Sequence, residues 1–452
     1  MFTDKSLDSV FYRGGRGSVG TIVHGSGVRI TDSDGREYID AMGGVAVQIV
    51  GHGNPSIGAA MAEAAKDYAY TYSQTFTTRH QKNLAERLTT RLSIPEGAAY
   101  YFASGGSEAN EVAMKFARQY HMVRGNPEKY KVIRRAHAYH GNTMGTLSVS
   151  DRPSWRQDYD PYLFNSPRVS GWRTARELQA AGGQDDILTA RALDELERVI
   201  WSEGPRTISA MIIEPVSGSS VAGAETPLGY LKGVRELCDE HDILLISDEV
   251  FVGYGRLGAP RATPLFGIEP DILVLGKGLG SGYAPLSSVV LFPEIFSVLG
   301  GPSGRHQQGY TFSGLPMSCA VGVAVSDYIE EHQLFAAAAE RGASLHRKLR
   351  EALKESAYVG DIRGRGMLVG IEFVEDKASL KPFPEELQIA GRVTQGCRDR
   401  GVILSPGSPQ IDDFHGGDQI HLAPPFVTSE EDVDLIVSAI RDSVTDTMSS
   451  VG

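Results

Sequence analysis

Cysteine is scarce in this chain: three occur in 452 residues, Cys238, Cys319 and Cys397. An odd, sparse set excludes a disulfide framework and points to a reducing compartment. None lies in a CxxC pair, so no metal site is expected and each reads as a core filler. Excess positive charge is absent as well. The net charge is −12, which argues against a nucleic-acid footprint. No run of about 18 apolar residues occurs, so no membrane span is expected. The first residues, Met1-Phe2-Thr3-Asp4-Lys5, carry no basic segment followed by an apolar one. No signal peptide is expected, and the protein reads as cytoplasmic.

Glycine is plentiful, at 52 residues. It suits tight turns and close approaches of backbone to ligand. Hydrophobic content is 41% and charged content 22%, as in a folded globular chain. The length allows a large core and two lobes.

Apolar runs alternate with helical periodicity through the middle of the chain. Ala99–Ala103, Lys131–Arg134, Ile208–Ile213, Ile243–Ile246 and Ile272–Leu275 read as strands. After the first, Ala109, Val112, Ala113, Phe116, Ala117 and Tyr120 recur at helical spacing. The pattern predicts an α/β fold with a mainly parallel sheet covered on both faces. Ligands of such sheets sit beyond the carboxyl ends of the strands. Ser104, Glu214, Asp248 and Lys277 all fall there.

The ends differ. Residues 28–40 read as a hairpin around Ser33-Asp34-Gly35. From about Ile329 a long helical stretch is followed by a strand at Met367–Phe373. The expected division is 1–60 and 329–452 as a smaller α/β domain, around 61–328 as the large one. Residues 165–186 and 407–418 read as loops.

The polar residues at the strand ends each admit two readings. Lys277 follows a buried strand between glycines. It fits a Schiff-base amine with its pKa lowered by burial, or a surface lysine in a turn. Ser104-Gly105-Gly106-Ser107 joins strand to helix, as a phosphate cradle or as a plain turn. Asp248 could pair with a protonated ring nitrogen, cap a helix or join an ion pair. Tyr139-His140 offers an aromatic face or a packed core pair. Glu214 could tune a neighbouring phenol or ammonium. Gly276–Gly282 also admits a nucleotide-binding loop, but lacks the spacing of a phosphate-binding motif.

Taken together, a cradle, a stacking aromatic, a carboxylate and a lysine are what pyridoxal phosphate requires. The chain resembles the class III (subgroup II) aminotransferases of pyridoxal-phosphate fold type I. It is most similar to those acting on ω-amines and ω-amino acids with pyruvate. The resemblance runs from Gly35–Asp40 and Gly51-His52-Gly53-Asn54-Pro55 to Ala423-Pro424-Pro425-Phe426. Its most specific parts are Ile246–Val250, Gly253–Gly258, Lys277 and Thr311-Phe312-Ser313-Gly314.

The resemblance implies a ping-pong transfer of an amino group from an amine or ω-amino acid to a keto acid, pyruvate by family habit. Lys277 would form the aldimine and shuttle the proton. Asp248 would hold the pyridine nitrogen protonated. Tyr139 and Val250 would cover the two ring faces. Gly106 and Ser107, helped by Gly105, would hold the phosphate, with His140 and Glu214 near the ring. Thr311 would reach a neighbouring subunit's phosphate, which implies a homodimer. Relatives of this fold that transfer nothing would keep the same residues: epimerases, decarboxylating transaminases, aminomutases and phospho-lyases.

Two departures concern the substrate. Many relatives carry an arginine clamp where this chain has His421, before Leu422-Ala423-Pro424-Pro425. His421 either packs or makes a weaker, pH-dependent carboxylate contact. Several relatives have a tryptophan near the position of Ala46. The pocket would be wider here unless Tyr70, Tyr72 or Phe76 fills it.

Overall fold

The structure is a computed structural model that describes residues 20–302, 308–407 and 418–451. A seven-stranded sheet forms its centre. The strands run, in spatial order, Ala99–Ala103, Ser287–Leu291, Ile272–Leu275, Leu244–Asp248, Ile208–Ile213, Lys131–Arg135 and Arg168–Val169. All pair in parallel except Ser287–Leu291, which is antiparallel to both neighbours.

The strands are buried on both faces because their side chains alternate between two helical layers. Ile246, Ile272 and Val274 pack with Val112, Ala113 and Phe116 of the helix Gly106–Val123. Met211, Ile213 and Leu245 face the other way, against Leu231, Val234 and Cys238 of the helix Tyr230–Glu240. All three cysteines are free and buried in core clusters.

The two ends of the chain share one core. Val28, Ile39 and Ala41 pack with Leu345, Leu349, Ile371, Ile420 and Ile440. The hairpin strands Arg29–Asp32 and Glu37–Asp40 pair as read from sequence. Val402–Ile403 adds to them in parallel. A second small sheet joins Val359–Arg365, Leu368–Phe373, Asp418–Leu422 and Ser405–Pro406.

Two segments depart from the sequence reading. Residues 165–186 are not a plain loop. They hold the edge strand Arg168–Val169 and the helix Ala175–Ala180, whose first turn Thr174 caps by accepting from the Glu177 N–H. Both are too short to leave a periodic signal. Ser287–Leu291 is an unforeseen strand, its apolar run interrupted by two buried serines. Of the expected loop at 407–418, residues 408–417 lie outside the described residues, and Gly407 at its start donates to the Gln419 carbonyl just past its end. Among the described residues, no helix is long and apolar enough to cross a membrane, and no cluster of His, Cys, Asp and Glu could hold a metal ion.

Candidate active site

Beyond the carboxyl ends of the central strands lies a cavity of about 140 Å³. It is lined by Gly106, Ser107, Asn110, Tyr139, His140, Gly141, Glu214, Ser219, Asp248, Val250, Phe251 and Lys277. The topology thus brings together residues from four strand ends and one helix N-terminus.

Lys277 is half-buried and opens a short turn after the strand Ile272–Leu275. Its φ is 44°, a left-handed conformation unusual for a side chain with a Cβ. Its Nζ lies 4.7 Å from the centre of the Phe251 ring. Burial pushes the ammonium below its ordinary pKa. Asp248 and Glu214 push back, and Arg256 adds to the lowering. An amine so placed is readily deprotonated, as a nucleophile must be.

Asp248 ends its strand 4% exposed. Its Oδ2 accepts from Asn110 Nδ2 at 2.7 Å and lies 2.8 Å from His140 Nδ1. Its Oδ1 accepts from the Val250 N–H at 3.0 Å. The carboxylate is therefore fixed and surrounded by donors, which a buried charge requires. Asn110 also donates to the His140 carbonyl at 2.8 Å. Glu214 accepts from the Tyr139 N–H at 3.0 Å and the Gly218 N–H at 2.9 Å. Burial pushes Glu214 above the ordinary carboxylate range, and His140 opposes that rise.

The helix Gly106–Val123 begins here with Gly105 in the capping position and no side-chain cap. Its first N–H groups are thus left for another acceptor. A Cβ at Gly106 would lie 2.7 Å from Val250 Cγ1, and one at Gly141 2.5 Å from Ser107 Oγ. Only glycine fits these approaches. Ser107 Oγ accepts from the Asn142 N–H at 3.1 Å. Ser287, on the unforeseen strand, donates to the Gly105 carbonyl at 2.9 Å and braces the turn.

These residues fit pyridoxal phosphate. The open helix N-terminus suits a dianionic phosphate, the held carboxylate a protonated ring nitrogen and the softened amine a Schiff base.

The residues expected at the substrate wall are not gathered in this cavity. Ala46 is 2% exposed and lies in the core beside Phe251, Val216 and Ala423. Tyr72 and Phe76 are 59% and 66% exposed. Phe76 lines a separate depression with Tyr68 and Thr71. Thr311 is exposed. His421 is buried on the strand Asp418–Leu422, opposite Gly370 and Ser405. Burial, aided by the charge of Arg152, pushes its pKa down to about 4. At neutral pH it carries no charge, so the pH-dependent carboxylate contact considered for it has no cation to rest on. Asn110, Phe251, Gly141 and Ser287 were missed. Of these, Asn110 alone had a sequence signal, one helical turn beyond the glycines.

The fold and this site define a pyridoxal-phosphate enzyme of fold type I. The family model for class-III aminotransferases matches residues 13–444. The aminotransferase YhxA of Bacillus subtilis (strain 168) is 36% identical over 422 residues, covering 92% of this chain and 90% of that protein. The diaminobutyrate–2-oxoglutarate transaminase of Halomonas elongata is 32% identical, covering 95% and 92%. An amine transaminase from an uncultivated Pseudomonas species, solved with pyridoxal phosphate bound, superposes with a TM-score of 0.89. It is 31% identical, with 98% of this chain and 99% of that one covered. The chain belongs to the class III aminotransferases. It is a pyridoxal-phosphate-dependent transferase that moves an amino group between an amine donor and a keto-acid acceptor.

Proposed function

We propose that this enzyme takes the amino group from an amine or ω-amino acid and passes it to pyruvate in a ping-pong cycle. The observation that carries the reading is the lysine amine, lowered in pKa, sharing one cavity with a fully held carboxylate and an uncapped helix. Bound pyridoxal phosphate supplies a carbonyl carbon that exchanges amines and a ring that accepts electrons.

The protein's residues have divided tasks in this reading. Lys277 would hold the cofactor through its amine and, when free of it, would serve as the general acid and base that moves a proton. Asp248, positioned by Asn110 and His140, keeps a proton on the ring nitrogen. Tyr139 and Val250, which both line the cavity, would hold the ring. The N–H groups of Gly106 and Ser107 bind the phosphate, with Gly105 shaping the turn.

Residues 1–60 and 329–452 act as a small domain beside 61–328. The exposed aromatics Tyr70, Tyr72, Phe76 and Phe312 support a homodimer, which would cover them and bring Thr311 to the second site. Tyr72 and Phe76 then wall the substrate from across that interface. The low cysteine content supports a cytoplasmic enzyme.

The test is a half-reaction. Purified enzyme loaded with pyridoxal phosphate is mixed with a terminal amine, β-alanine, γ-aminobutyrate, ornithine, L-alanine or an aryl-ethylamine. The expected result is conversion of the cofactor to its pyridoxamine form, fastest with a donor whose amine is remote from any carboxylate. A preference for α-amino acids would contradict the ω-type reading. A cofactor band that shifts without pyridoxamine form or carbonyl product would favour an epimerase or lyase.

A further inference from the structure

The amine of Lys277 is short of conventional partners. Among the described residues its Nζ makes no hydrogen bond and no ion pair. The two carboxylates that face it are held by other donors. Asp248 accepts from Asn110 and the Val250 N–H and lies beside His140. Glu214 accepts from the N–H groups of Tyr139 and Gly218. The third charge felt at Lys277 is the Arg256 guanidinium, which repels an ammonium. What the amine does meet is the face of an aromatic ring. Its Nζ lies over Phe251, 4.7 Å from the ring centre, inside the roughly 6 Å reach of a cation–π contact.

The ring is fixed in that place. Phe251 is buried and packs with Met42, Ala46, Val216 and Ala423. A Cβ at Gly218 would lie 2.4 Å from Phe251 Cγ, so only glycine lets the ring lie against this backbone. Glu249, two residues before Phe251, is buried and accepts from the Ala262 and Thr263 N–H groups at 2.6 and 2.9 Å. Those bonds close the loop that carries the ring. Phe251 and Lys277 line the same cavity. An aromatic face withdrawn from solvent attracts a cation more strongly than one in open water.

We propose that Phe251 is the seat of the Lys277 ammonium in the half of the cycle in which that amine is free of the cofactor. The inference rests on the role given to Lys277 above and adds the residue that keeps its amine charged and in reach. Burial disfavours the ammonium. The ring face opposes that effect and leaves on Nζ the proton that the amine has to return. An aliphatic side chain of similar size would exclude water equally but would not stabilise the charge.

The experiment titrates Lys277 in enzyme loaded with pyridoxamine phosphate, where the lysine amine is unbound. Trace acetylation with acetic anhydride across a pH series, followed by mass spectrometry of the Lys277 peptide, gives the midpoint at which the amine becomes reactive. Phe251→Leu is expected to lower that midpoint by about 0.5 to 1.5 pH units. Phenylalanines bearing one, two or three fluorines at position 251 drain the ring face with little change of shape. They are expected to lower the midpoint stepwise. A midpoint that stays level or rises, in Phe251→Leu or along the fluorine series, overturns the proposal, because the ring would then only exclude water. A different lysine labelled by borohydride in the wild-type holoenzyme would overturn the role of Lys277 itself, and the proposal with it.

Discussion

Arg363 and Lys277 are both cations withdrawn from water, and their surroundings are opposite in kind. Arg363, in the small C-terminal sheet, has Glu372 at 2.6 Å, Asp361 at 3.1 Å and Gln419 Oε1 at 2.7 Å. Its Nε donates to the Ala222 carbonyl at 3.0 Å, and Arg176 joins Glu372 from the other side at 2.9 Å. Burial alone would lower its pKa, yet Glu372 and Asp361 hold it above its ordinary value. Lys277 has an aromatic ring near its Nζ and a left-handed backbone, and burial wins over the two carboxylates that face it. The first cluster is satisfied and pins the small sheet to the loop at Ala222. The second is held part-way, in the state that reactive groups require.

The comparison breaks most sharply at Lys277. Lys277→Ala is expected to lower transamination by about 10²- to 10⁴-fold from lost proton transfer alone. Its unfolding midpoint, measured on the cofactor-free protein at fixed concentration, is expected to stay the same or rise. A large loss of stability would show that Lys277 also holds the fold.

Arg363→Met reverses that pattern. It leaves the buried Glu372 with Arg176 alone and takes the cation from the half-buried Asp361, at a cost of up to about 3 kcal/mol. Urea unfolding reads the loss, while the specific activity of the folded fraction changes little. A loss of activity without a loss of stability would contradict the assignment.

A smaller effect comes with acid. His421 is pushed from 6.5 to about 4 in the folded chain. Between those values the unfolded chain binds a proton that the folded chain does not, so stability falls as pH is lowered through that window. The contribution is about 3 kcal/mol once pH has passed below 4. His421→Leu is expected to flatten the acid limb of a stability–pH curve by up to one proton. An unaltered slope would mean that the imidazole is already charged when folded.

The smallest change sharpens the site itself. Asn110→Ala removes one donor from Asp248, worth about 1.5–3 kcal/mol for a bond to a charged group. Cofactor dissociation is expected to speed up about tenfold. Asn110→Asp, a like charge beside Asp248, is expected to be worse than Ala.

The strand ends were legible in the sequence because a buried parallel strand is a short apolar run, and the residues just past its carboxyl end lie at the ligand edge. Lys277, Asp248, Glu214 and Gly106 were found this way. Asn110 was passed over although it stands one helical turn beyond the glycines, because its contact with Asp248 joins residues far apart along the chain. Ser287 was missed because its strand opens with two serines that look like a loop. The substrate side was read least well. Tyr72, Phe76 and Thr311 are exposed, and the role proposed for them rests on a second chain. Ala46 packs in one core cluster with Phe251 and does not line the cavity.

One measurement tests the role of Lys277 most directly. Holoenzyme is reduced with borohydride, digested and mapped by mass spectrometry. A pyridoxyl group is expected on the peptide that carries Lys277, and no labelled peptide in Lys277→Ala. A label on another lysine of the wild-type enzyme would contradict that role.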